Sequence, residues 1–158
     1  MIRELTLADA MHVVSRMRQR DRDGFRAVLG EVSDDHIAAN RWQCYGPAWV
    51  LDVDRRPSVI AGVNFLNDWT GFMWLVAVDG LRPESWRKVI RQTRTVISNA
   101  LNPSNEHGKR RIEAHVMADW PEAQELVRRL GFEFEGVRRC AGFGGEDVQV
   151  WSIVRKKQ

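Results

Sequence analysis

Tyrosine and cysteine are the scarcest chemically versatile side chains in this 158-residue chain, with one Tyr and two Cys. Two cysteines, Cys44 and Cys140, make no disulfide framework and no zinc-ligand spacing. The four histidines, His12, His36, His107 and His115, are scattered without ligand spacing, so no metal site is expected. A reducing cytoplasmic setting follows from the low cysteine use. No apolar run approaches the ~20 residues of a membrane span, and the N-terminus has no apolar leader core, so no membrane partner is expected. A dominant charge sign is missing too: 24 basic and 21 acidic side chains leave a net charge of +3. The basic runs, such as Lys109-Arg110-Arg111 and Arg155-Lys156-Lys157, are short and read as solvated surface, so no nucleic-acid partner is expected. The mild positive balance suits an anionic ligand. There is no internal repeat and no linker, which leaves one domain over residues 1–158.

What the chain does have is tryptophan, seven residues spread from Trp42 to Trp151, read as core or site lining. Local patterns then mark the elements. Residues 2–5 form a short strand, and Thr6 caps a helix beginning at Leu7. Residues 16–26, dense in charge of both signs, read as an exposed helix face. Ser33 caps a further helix through Ile37, Ala38 and Trp42. Strands follow at 48–53, 58–66 and 71–78, the last almost wholly apolar and therefore central. A helix covers 82–101 with Pro83 in its first turn, and 111–117 is a strand.

The segment from Trp120 to Gly136, W-P-E-A-Q-E-L-V-R-R-L-G-F-E-F-E-G, is the most informative. Asp119 is the expected N-cap and Pro121 the first helical residue. Ala123, Leu126, Val127 and Leu130 share one face, Gly131 stops the helix, and Phe132 and Phe134 alternate as in a half-buried strand.

This R-R-L-G-F-x-x-E-G block, with the tail Gly144 to Ile153, resembles the C-terminal signature of the GCN5-related N-acetyltransferases. The element order, β-α-α-β-β-β-α-β-α-β-β, is that family's order. The resemblance implies an α/β fold with a mixed central sheet and transfer of an acetyl group from acetyl-CoA to an amine. It also implies that coenzyme A enters between two splayed central strands, with its pantetheine arm along Val76, Ala77 and Val78. The family's pyrophosphate loop maps onto Arg82, Ser85, Trp86, Arg87 and Lys88, where Ser85 and Arg87 stand at glycine positions. Its helix-opening Asn is Trp120 here, and its usual tyrosine acid falls at Val127. Glu113 and His115, on one side of the strand that faces the cleft, and Asp119 at its end are the candidate catalytic groups. The segment from Leu5 to Asp23 resembles a group of tailed-phage internal virion proteins that share this scaffold. That second resemblance implies the alternative of a catalytically degenerate assembly protein, with phage proteins as partners and a place in the virion.

Overall fold

The computed structural model describes residues 1–157. The elements are β1 (Ile2–Glu4), α1 (Leu7–Ser15), α2 (Gln19–Leu29), α3 (Asp34–Trp42), β2 (Ala48–Val53), β3 (Arg56–Phe65), β4 (Thr70–Ala77), α4 (Pro83–Leu101), β5 (Arg111–Met117), α5 (Pro121–Leu130), β6 (Glu133–Arg138) and β7 (Val148–Val154). Seven strands form one sheet in the order β1-β2-β3-β4-β5-β7-β6. All neighbours run antiparallel except β4 and β5, which are parallel and joined through α4.

The expected α/β class and mixed sheet are present, and the boundaries of β1 to β5 fall within two residues of those expected, while the last strand starts at Val148 and not at Gly144. Two further expectations need correction. Three helices, not two, lie between β1 and β2, because the chain breaks at residues 16–18. Thr6 starts α1 with a capping box: its hydroxyl accepts from the Asp9 N–H, and the Asp9 carboxylate accepts from the Thr6 N–H. At the far end Met17 forms an antiparallel bridge with Val78, so the backbone leaves helical geometry to pair with β4. Asp119 is not the cap of α5. Trp120 holds that position and makes no side-chain cap bond, while Gly131 ends the helix in left-handed geometry (φ 98°) as expected.

Each sheet face is covered by its own helices. Val13, Val14, Ile37 and Ala38 of α1 and α3 meet Val50, Ile60, Trp74 and Val76 on one face. On the other, Val89 and Ile97 of α4 and Val127 and Leu130 of α5 cover Val59, Ala61, Ala77, Ile112, Ala114 and Val116. The period-2 alternation of β4 and β5 feeds both cores, and the 3.6-residue period of α4 buries Ser85, Val89, Thr93, Ile97 and Ala100 along one stripe. Phe132 is buried, but Phe134, on the edge strand β6, is 52% exposed and lies edge-on to Trp151.

The feature that positions the site is the seam between β4 and β5. Their ladder pairs Thr70 with Arg111, Gly71 with Ile112 and Phe72 with Glu113, and then stops. Residues 73–77 of β4 run on with no partner strand on that side, a gap of roughly 16 Å at ~3.3 Å per residue.

Candidate active-site seam

Two adjoining cavities lie at this seam: the inner one runs through it, lined by residues of both sheet faces, and the outer one lies on the side of α4 and α5. The inner one, about 190 Å³, is walled by α2 and α3 through Phe25 and Arg41, by β4 through Phe72 and Trp74, and by β5 through His115. The outer one, about 500 Å³, is a groove between α4 and α5 lined by Trp86, Ile90, Glu125 and Arg129. Arg18, Trp120, Ala123 and Leu126 border both.

Arg18 is the partition. Its guanidinium carbon lies 5.1 Å from the ring centroid of Trp86, in the first turn of α4, and 5.1 Å from that of Trp120, which opens α5. Two further bonds, Nε to Oδ2 at 2.9 Å and Nη2 to Oδ1 at 3.0 Å, tie it to the Asp21 carboxylate. Asp21 is buried and also accepts the Ala77 N–H at 3.1 Å, while the Ala77 carbonyl accepts the Arg18 N–H at 3.0 Å. Burial pushes the Asp21 carboxyl above its ordinary range, against the opposing pull of Arg18. Thus α2, whose charge reads as exposed surface in sequence, turns Asp21 inward and uses the break before it to seal the seam. Only the cluster's position beside a broken helix could have signalled this.

Among the expected pantetheine positions, Val78 donates to the Ser58 carbonyl in β3, and Ala77 has both backbone groups engaged by α2. Of the expected pyrophosphate residues, Ser85 is buried, whereas Arg82, Arg87 and Lys88 are exposed around the α4 N-terminus. Pro83 has no N–H, the Ser85 N–H donates to the Arg82 carbonyl, and Arg82 makes no side-chain cap bond. The terminus therefore attracts an anion by its three cations more than by free N–H groups, against Glu84 and Asp54, which lies 3.7 Å from Arg82.

The structure brings two of the three catalytic candidates together. His115 Nε2 lies 3.4 Å from Glu113 Oε2, and Phe72 stands edge-on to the imidazole at 4.9 Å. Burial lowers the His115 pKa below its ordinary value, and Glu113 opposes this only in part, so the ring is neutral near pH 7. Arg111 holds Glu113 through Nε at 2.9 Å and grips Glu135 as well. Asp119 stands apart. It is 73% exposed and bonded to Arg20, where it fastens α2 to the β5–α5 turn. Val127 is buried in the α4–α5 core and offers no proton. Tyr45 lies at the closed end of the seam against Phe65 and His107. Cys140 is exposed, on the β6–β7 turn. Among the described residues no group of His, Cys, Asp and Glu is arranged to hold a metal ion, and no helix is long and apolar enough to cross a membrane.

A mixed sheet parted between its two parallel strands, with a helix starting at the mouth of the gap, is the architecture of the GCN5-related acetyltransferases. Solved structures bear this out. A phosphinothricin acetyltransferase from Sinorhizobium meliloti, in complex with acetyl-CoA, matches 98% of this chain and 88% of its own at 16% identity and a TM-score of 0.73. The ribosomal-protein-S18-alanine N-acetyltransferase of Escherichia coli matches 100% and 95% at 20% identity and a TM-score of 0.64. Ard1 from Thermoplasma volcanium matches 99% and 98% at 14% identity and a TM-score of 0.70. At such identities the likeness is one of fold. No family model matches the sequence, and no curated protein is similar to it.

Proposed function

We propose that this protein is an N-acetyltransferase, with acetyl-CoA in the outer groove and an amine in the inner pocket. The observation that carries this reading is the pair of adjoining cavities at the open seam, which have Arg18, Trp120, Ala123 and Leu126 as their common border. A two-substrate reaction needs that topology, because the acyl donor and acceptor must approach one point from different sides. Arg82, Arg87 and Lys88, exposed around the start of α4, would hold the pyrophosphate, and the groove beside Trp86 would take the rest of the cofactor once Arg18 swings aside. When bound, acetyl-CoA supplies a thioester that an amine can attack. His115, neutral and half-buried, takes the amine proton, and Glu113 at 3.4 Å stabilises the imidazolium that forms. Arg111 in turn fixes Glu113. Phe72 orients the ring by edge contact.

A second reading keeps the scaffold without turnover. The sealed Ala77 edge favours it, since both backbone groups expected to meet the cofactor are satisfied internally. Titration calorimetry with acetyl-CoA separates the two. The enzyme reading expects heat with a micromolar to sub-millimolar dissociation constant, weakened by Arg87→Glu, and thiol release with an amine panel. No heat and no thermal shift at millimolar acetyl-CoA would remove the enzyme reading.

A further inference from the structure

Of the two arginines on the inner pocket, Arg18 pairs with Asp21, but Arg41 has no carboxylate partner among the described residues. Its guanidinium carbon lies 5.3 Å from the ring centroid of Trp74 and 5.8 Å from that of Phe25. Its Nε is buried without a hydrogen-bond partner, and its one side-chain bond is from Nη2 to the neutral Asn40 amide oxygen. Burial lowers its pKa, and the only nearby acidic group opposing this is the Cys44 thiol, itself pushed toward the neutral form by burial. Trp74, on the same wall, has a second buried donor, Nε1–H, whose polar neighbour is that same thiol, a weak acceptor. A half-buried guanidinium among aromatic rings, without a carboxylate, is costly to maintain. A ligand anion would remove that cost. The cavity it faces is small, about 190 Å³, against ~300–1,000 Å³ for drug-sized sites.

We infer that the inner pocket binds a small carboxylate, held by Arg41, so that the acceptor is an amino acid or a similar compact amino carboxylate. The carboxylate pairs with the Arg41 fork, its apolar remainder lies against Phe25, Phe72 and Trp74, and its amine is left toward His115 on the seam. Binding of the carboxylate stands on the pocket alone, while its role as acceptor rests on the acetyl-transfer reading.

The test is calorimetry and thermal shift without acetyl-CoA, using glycine, L-alanine, L-leucine and L-phenylalanine at up to about 20 mM. 4-Methylpentanoate and 3-methylbutylamine serve as leucine lacking one or other charged group. Expected are saturable binding of at least one of these amino acids and of 4-methylpentanoate, no binding of 3-methylbutylamine, and a loss of about tenfold or more in Arg41→Gln. Arg41→Gln should keep or raise the melting temperature, since it removes an uncompensated charge. If that variant fails to fold, the acid-against-amine comparison on the unaltered protein still decides. Equal binding of amine and acid, no binding by any of the amino acids, or undiminished binding by Arg41→Gln would overturn the inference. Carboxylate binding without acetyl-CoA turnover removes only the enzyme reading, and turnover that ignores the acceptor's carboxylate removes only this one.

Discussion

Removing the Arg18 side chain should loosen the fold and tighten acetyl-CoA binding at once. Arg18 makes two bonds to Asp21 and stacks on Trp86 and Trp120, so it clasps α2, α4 and α5 over the seam. Two partly desolvated cation–π contacts contribute about 0.5–1 kcal/mol each, and the charge-assisted pair about as much again. Its loss also leaves Asp21 buried with only the Ala77 N–H, although that carboxyl, already raised by burial, can protonate. The net cost of Arg18→Ala is about 2–3 kcal/mol, or roughly 4–12 °C in Tm for a domain of this size. If about 2 kcal/mol holds the seam shut, only about one molecule in thirty is open, and apparent affinity falls by that factor. Arg18→Ala should therefore bind acetyl-CoA about thirtyfold more tightly while melting earlier, as measured by titration and scanning calorimetry on the same samples. Unchanged or weaker affinity together with the lower Tm would refute the clasp as a barrier to the cofactor.

Three further outcomes follow from the geometry. His115→Gln should lower kcat/KM by about 10²–10⁴ and abolish an acid limb lying below the ordinary histidine pKa, read from the pH profile with any accepted amine. Arg3 bonds to both Asp9 and Asp52 and, with Thr6, holds the Asp9 carboxyl at about 2, so this site stabilises the fold above the ordinary carboxylate range and loses that contribution as pH falls toward 2. Urea melts from pH 5 to pH 2 should show about 1–2 kcal/mol lost on this account, and Asp9→Asn, already weaker at pH 5, should show a correspondingly smaller decline. Gly62→Ala should cost about 2–3 kcal/mol, because a Cβ there would meet the Pro47 carbonyl at 2.5 Å and the Trp74 ring at 2.9 Å, and a melting temperature within a degree of the parent would contradict it.

The scaffold was legible because it is written in short-range periodicities. The apolar runs of β2 to β4, the alternation in β5, the 3.6-residue stripe of α4 and the Leu130-Gly131-Phe132 stop each depend on neighbours a few residues away. The pairing of Glu113 with His115 was readable for the same reason, since two residues apart on a strand means one face. The role of residues 16–26 was not. A run of mixed charge is locally indistinguishable from a solvated helix surface, and what draws Asp21 inward is the Ala77 N–H, 56 residues away in sequence. Asp119 misled in the converse way: a plausible cap by local rule, it is claimed instead by Arg20, 99 residues distant.

By itself, then, the sequence determined the order of the strands, every helix but the break that divides α1 from α2, and the sheet's two apolar faces. Only the tertiary structure decided that Arg18 fills the seam between two tryptophans, that Ala77 is already bonded, and that Arg41 faces a cavity without a counter-charge. Periodicity reports which way a side chain points along its own element. Whether a polar group there finds a partner depends on desolvation and on contacts between elements far apart in the chain, which local pattern does not encode.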